Sequence, residues 1–270
     1  MVVFPPCKIN LGLNIVSRRD DGYHNIETCF YPVPCCDVLE IIPAGQTAFS
    51  FSGNEIQVRK EDNLCWRAYE LLKRDHAIPP FQLHLHKIIP LGAGLGGGSS
   101  DASTTLLALN QIFSLGLSHD ALRSYASQLG SDCPFFINPA PMLGTGKGDV
   151  LKPLPLKLDG IFLVIVKPDI HISTAEAYRR VTPAIPQIPL EKILETPVET
   201  WRGKLTNDFE RSVFQAHPEI EQIKTGLYHL NALYASMSGS GSSVFGLFEK
   251  SFDVSKYFSK KQIWSGVLVS

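Results

Sequence analysis

Hydrophobic and polar positions alternate most cleanly over residues 7–16. Ile9, Leu11, Leu13 and Ile15 take every second place, with Lys8, Asn10, Gly12 and Asn14 between them. Period two predicts a strand, because successive side chains of an extended backbone point to opposite faces. The apolar set should face a core and the polar set should face away from it. A second strand region is expected over 26–42, broken by Pro32 and Pro34, and Phe81, Leu83 and Leu85 mark a third. After Asp62-Asn63 the period lengthens to that of a helix, with Leu64, Ala68, Leu71 and Leu72 on one stripe. Residues 99–113 and 120–129 read as two further helices, the second closed by Gly130. The apolar run 161–166 predicts a buried strand. Helical segments are expected at 174–181, 190–195, 207–215 and 219–230, and strands at 234–238, 243–248 and 263–269. Helices packed between strands make the second half an α+β layer. The Pro/Leu-rich stretch 152–158 divides the chain into lobes of residues 1–152 and 153–270.

Between the strand at 81–85 and the helix at 99–113 lie Gly92, Gly94, Leu95, Gly96, Gly97 and Gly98, followed by Ser99 and Ser100. Glycine lets the backbone take positive φ and approach a ligand closely. A helix start adds unpaired N–H groups and the positive end of a dipole. Together they make an anion site, and the commonest such anion is a nucleotide phosphate. This is no Walker A loop, since no Gly-Lys-Ser/Thr closes it. Gly92, Gly94 and Gly97 also match the dinucleotide fingerprint by spacing. However, no βαβ unit surrounds them, and Asp120, the acidic residue at a plausible distance, falls at a helix start.

Bulk composition narrows the classes. The 270 residues suffice for one large domain or two lobes. A net charge of −1 supplies no basic field for nucleic acid or an acidic membrane. No apolar run reaches the roughly 18 residues of a membrane span. Met1-Val2-Val3-Phe4-Pro5 lacks the layout of a signal peptide. Cys7, Cys29, Cys35, Cys36, Cys65 and Cys133 contain no CxxC pair. Reduced thiols in a cytoplasmic protein are expected, rather than disulfides or zinc. His84 and His86 share one strand face but lack a third ligand, so a solvated face is the plainer reading.

Three motifs stand in order. Pro6-Cys7-Lys8-Ile9-Asn10-Leu11 is followed by Asp21-Gly22-Tyr23-His24. The glycine loop comes second. Met237-Ser238-Gly239-Ser240-Gly241-Ser242-Ser243 is a second Gly/Ser turn. Each alone has a bland reading; the Gly239–Gly241 segment fits an ordinary hairpin turn. In this order, over residues 5–246, they resemble the GHMP small-molecule kinase superfamily, which includes galactokinase and the homoserine, mevalonate and phosphomevalonate kinases. Asp21-Gly22-Tyr23-His24, Gly96-Gly97-Gly98 before Ser99-Ser100-Asp101-Ala102, and Gly130-Ser131-Asp132-Cys133-Pro134-Phe135-Phe136 resemble its branch acting on a cytidine-diphosphate-linked polyol. Ser131 and Cys133 stand where Ala and Val are commoner there, swaps that roughly keep size.

The resemblance implies an α+β, two-lobed GHMP kinase fold, with a mixed α/β N-terminal lobe and a ferredoxin-like C-terminal lobe. It also implies ATP as phosphoryl donor with Mg²⁺, in the making of isoprenoid precursors. Lys8 and Asp132 match the family's catalytic pair. Asp132, between a helix end and the apolar run 134–137, would be partly desolvated and would need a cation beside it to stay ionised. Lys8 could be that cation. Tyr23 and His24 fit a cytosine pocket, with one ring to stack and one imidazole to bond the base edge. Tyr178 matches a second stacking aromatic, and Asn10 and Thr174 match groups at the substrate's phosphate or polyol end. Asn63, Leu64 and Lys87 match positions near adenine. No acidic cluster identifies a protein ligand for Mg²⁺, so phosphates, Ser99 or Ser100 and water would hold it.

The bland alternatives are a turn-closing Asp132, a solvated Lys8, a core Tyr178 and a helix-capping Asn63. At the level of function, two rivals stand beside the leading one. A homoserine or mevalonate kinase would have no base for Tyr23 and His24 to stack on. A ligand sensor without turnover would have no need of both Lys8 and Asp132.

Overall fold

The computed structural model describes residues 1–54, 59–258 and 261–269. The chain divides into two compact units that interleave in sequence. One comprises residues 1–8, 35–91 and 96–139, and the other 9–34, 92–95 and 140–270. Interleaving means that no single cut, such as one between 152 and 153, separates these units.

In chain order the regular elements are β1 (Val2–Val3), β2 (Pro6–Arg18), β3 (His24–Cys36), β4 (Val38–Pro43), β5 (Ala48–Gly53), α1 (Leu64–Asp75), β6 (Phe81–Lys87), α2 (Gly97–Ile112) and α3 (His119–Leu129). They continue with β7 (Met142–Thr145), β8 (Val150–Pro153), β9 (Phe162–Lys167), α4 (Thr174–Tyr178), α5 (Leu190–Leu194), α6 (Phe209–Ala216), α7 (Pro218–His229), β10 (Tyr234–Met237), β11 (Val244–Phe248) and β12 (Gln262–Val267).

The first unit is two-layered. Its sheet has the order β1-β4-β6-β5, with β5 parallel to β6 and the other pairs antiparallel. Leu39, Ile41, Phe81, Leu83 and Leu85 present one face to Ala68, Leu72, Leu106, Leu109 and Leu122 of α1, α2 and α3. The opposite face is wet. Ser50 bonds His84 Nδ1 at 2.8 Å, and Ser52 bonds His84 Nε2 at 2.8 Å and His86 Nδ1 at 2.9 Å. The expected solvated histidine face is therefore observed. Asn63 caps α1 through Oδ1, which accepts from Cys65 N at 2.9 Å.

The second unit holds the antiparallel sheet β10-β11-β9-β12. Val164, Val166, Met237 and Val244 pack on Phe209, Val213, Ile223 and Leu227 of α6 and α7. β9 and β11 are buried along nearly their whole length, which explains their unbroken apolar sequence. A further sheet has the order β2-β3-β7-β8.

Several elements differ from the sequence reading. Lys8 and Asn10, on the polar face of β2, are as buried as the apolar set, with 3% and 2% exposure. β3 runs unbroken through Pro32 and Pro34, which lie beyond its Thr28–Phe30 ladder with β7. β5 went unread although Phe49 and Phe51 alternate with Ser50 and Ser52. β7 and β8, at four residues each, are too short to show a period.

Candidate active site

In the first unit, Asp132 follows the end of α3 and opens the 3₁₀ turn Cys133–Ile137. The turn is anchored by buried Phe135 and Phe136. The Asp132 side chain makes no capping bond to this turn. Instead Oδ2 lies 3.5 Å from Lys8 Nζ, a buried ammonium facing a carboxylate that is 32% exposed. Such a pair sets a partly exposed carboxylate within reach of a proton beside a buried ammonium.

The glycine loop reaches this pair. Gly96 sits at φ 69° as the residue before α2. A Cβ there would stand 2.9 Å from the Phe136 ring and 3.2 Å from Lys8 Cε. Only glycine supplies both the left-handed backbone and the room. The first intrahelical bond of α2 is Ser100 N to Gly96 O, 2.9 Å. The amides of Gly97, Gly98 and Ser99 are therefore left to face an anion. Ser100 is buried, and its hydroxyl has no partner.

Behind the loop lies a buried charge cluster. Lys87 Nζ donates to Asp37 Oδ2, and to Asp101 Oδ2 at 2.8 Å. Asp37 Oδ1 also accepts from Ile88 N at 2.6 Å and Ile89 N at 2.8 Å. Burial pushes the Asp101 carboxyl up to about 7 against the pull of Lys87, and Asp37 adds to the rise. Burial alone would lower the Lys87 ammonium, but Asp101 and Asp37 together hold it above its ordinary value.

The second unit carries an aromatic group. His24 stacks on Tyr178, with ring centroids 4.7 Å apart. Phe209 meets Tyr178 edge-on at 4.8 Å. Burial, then the Arg18 charge, holds the His24 imidazole below its ordinary value, which favours the neutral ring. Tyr23 is 61% exposed, with Lys147 Nζ 5.0 Å above its ring. Thr174 opens α4 and is exposed. Asn10 Nδ2 donates to Thr28 Oγ1 at 2.9 Å, and its backbone N–H to Ser238 Oγ at 3.3 Å.

Residues 63–138 match the N-terminal domain of GHMP kinases, and residues 190–260 match their C-terminal domain. A Parabacteroides distasonis protein named 4-diphosphocytidyl-2-C-methyl-D-erythritol kinase is 51% identical over 270 residues, covering 99% of this chain and 100% of its own. The Bacteroides thetaiotaomicron protein of that name is 50% identical over 253 residues, 92% of each chain. The chain belongs to the GHMP kinase family. A crystal structure of 4-(cytidine 5'-diphospho)-2C-methyl-D-erythritol kinase superposes with a TM-score of 0.83 at 34% identity, covering 98% of each chain. A mevalonate kinase structure shares the fold, with a TM-score of 0.71 at 14% identity.

In this GHMP kinase the structure brings together Lys8, Asp132, Gly96 and the start of α2 in one unit, and His24 with Tyr178 in the other. Lys87, expected near adenine, is buried between two carboxylates. Asn63 spends its side-chain oxygen on a cap, and Leu64 Cδ1 lies 3.6 Å from where a Gly98 Cβ would stand. Sequence reasoning missed Asp37 and Asp101 as the partners of Lys87. Asp101 lies inside a quoted motif, but Asp37 follows Cys35-Cys36 without any periodic signal. Among the described residues no group of three or more His, Cys, Asp or Glu is placed to hold a metal. No helix among them is long and apolar enough to cross a membrane.

Proposed function

We propose that this protein is an ATP-dependent kinase that phosphorylates the 2-hydroxyl of 4-diphosphocytidyl-2-C-methyl-D-erythritol, a step of non-mevalonate isoprenoid precursor synthesis. The Lys8–Asp132 pair carries this reading, in a chain that matches proteins of that name end to end. Asp132 accepts the proton of the acceptor hydroxyl. The oxygen then attacks the γ-phosphorus of ATP, forming one P–O bond as the bond to ADP breaks. Lys8 offsets charge on the attacking and transferring oxygens. The amides at the start of α2 hold the phosphates. The unpartnered Ser100 hydroxyl would be a fitting oxygen donor for Mg²⁺, which when bound with ATP would offset phosphate charge. Neutral His24 bonds the cytosine edge, while Tyr178 and Tyr23 offer ring faces. Asn10 and Thr174 act at the phosphate or polyol end. Neither nucleic acid nor membrane has a part in this reading, and six free thiols support work in a reducing cytoplasm.

The test is ADP release from Mg²⁺-ATP with this acceptor, compared in the native chain and Asp132→Asn. Loss of a general base lowers turnover by about 10²–10⁴-fold. A third of the Asp132 side chain is exposed, so the variant should fold. Release only with homoserine or mevalonate would overturn the substrate. Undiminished release in Asp132→Asn would overturn the base.

A further inference from the structure

Asn207, on the segment between Thr206 and Asp208, is 3% exposed, and all its side-chain hydrogen-bonding groups are spent. Nδ2 donates to Met237 O at 2.8 Å and to Gly239 O at 2.9 Å, and Oδ1 accepts from Phe209 N at 3.0 Å. A carboxamide is the only small side chain that donates twice and accepts once. The amide group thus grips the second Gly/Ser turn, while the oxygen caps the start of α6.

Backbone bonds tie the same segment to β2. Leu13 N donates to Thr206 O at 2.9 Å, and Asp208 N donates to Leu13 O at 2.9 Å. Ile15 N donates to Asp208 Oδ2 at 2.7 Å. Three residues before Leu13, Asn10 N donates to Ser238 Oγ, which in turn donates to Gly94 O at 2.9 Å. Ser243 N donates to Ala93 O at 3.2 Å. The bonds form a closed ring from β2 through Asn207 to the Gly/Ser turn and back to β2, and the turn also bonds the glycine loop at Ala93 and Gly94. The ring is also sterically tight. Gly94 has φ 76°, and a Cβ there would overlap the Ser238 carbonyl oxygen.

We infer that Asn207 is a positioning residue for nucleotide binding, its carboxamide setting the Gly/Ser turn that holds Ala93 and Gly94 of the phosphate loop in place. This rests on the reading of the glycine loop as the ATP phosphate cradle. Asn207 touches no reacting atom and acts through the turn. A buried donor pair removed from two carbonyls leaves both unsatisfied, and the turn can relieve them only by shifting.

The test compares Asn207→Asp with Glu210→Gln in titrations with ADP, which need no acceptor. Asn207→Asp keeps the shape and the oxygen that caps α6 but loses both donations. Glu210 sits three residues away and bonds Ser236 Oγ, Met237 N and Lys224; Gln keeps an oxygen to accept from Met237 N, loses the charge pair with Lys224 and has no bond to the loop, so it controls for general destabilisation. Asn207→Asp should weaken ADP binding by about tenfold or more, as loss of a buried hydrogen bond implies. The KM for ATP should rise in parallel, while that for the acceptor moves less than about twofold. Glu210→Gln should lower the melting temperature and leave ADP binding unchanged. Native ADP affinity in Asn207→Asp, or equal weakening in Glu210→Gln, overturns the inference. If Asn207→Asp does not fold, Ser238→Ala breaks the next link, and native ADP affinity there overturns it too. A native chain that binds ADP but turns over no acceptor overturns only the substrate reading. One that binds no ADP overturns the cradle and this inference together.

Discussion

The His24 imidazole lies nearly parallel to the Tyr178 ring, with 18° between their planes and 4.7 Å between centroids. The residue from the Asp-Gly-Tyr-His element that meets Tyr178 is therefore the histidine, while Tyr23 lies open under Lys147. Under the proposed function Tyr178 has two tasks, offering a ring to the base and holding the His24 imidazole against it.

Removal of that ring should weaken the acceptor more than the chemistry. Tyr178→Ala should raise the acceptor KM by the equivalent of roughly 1–3 kcal/mol, the range for one base–aromatic contact, with kcat little changed. Tyr178→Phe should stay close to native, because the ring and not the hydroxyl carries the stack. Steady-state kinetics with the acceptor varied decide it. A fall in kcat at constant KM would place Tyr178 outside the base pocket.

Asp101 makes stability depend on pH. Its carboxyl binds a proton more tightly folded than unfolded, since burial raises it from 3.8 to about 7. The stabilisation is complete below the unfolded value and is lost as pH rises through about 7. Asp101→Asn, which keeps the neutral carboxyl's shape, should remove that loss. Urea titrations at about pH 5 and about pH 8 should show native stability falling across the interval, and the variant falling less. Equal falls in both proteins would show that Asp101 is not the titrating group.

Lys87 offers a sharper choice between roles. Both its carboxyl partners are buried, so Lys87→Met leaves them without their cation and should destabilise by about 3–5 kcal/mol. Denaturant unfolding measures this. A variant of native stability with a raised KM for ATP would instead return Lys87 to the adenine pocket.

Gly94 tests the loop from the other side. A methyl at φ 76° faces both backbone strain and the Ser238 carbonyl. Gly94→Ala should therefore weaken ADP binding by about tenfold or more, since the left-handed backbone and the overlap together cost more than about 1–2 kcal/mol. Gly116 is also left-handed, at φ 70°, but open around its Cβ position, so Gly116→Ala is the control for backbone strain alone. Matching ADP affinities in the two variants would deny Gly94 a special place.

Local order was legible without coordinates. The alternation at Ile9–Ile15 and Phe81–Leu85, the Asn63 cap and the crowded glycines depend on residues near one another in the chain, and short-range periodicity reports those directly. The likeness of the three motifs to GHMP kinases pointed to Lys8 and Asp132, although nothing local joins residues so far apart. Tertiary structure alone decided which charges meet. Asp37 and Lys87 are 50 positions apart and pair because β4 and β6 are neighbours in one sheet. Asn207 reads as an unremarkable helix start until the fold closes the Gly/Ser turn over its amide. Long-range hydrogen bonds leave no period behind them, because a buried polar group takes whichever partner packing brings within 3 Å or so.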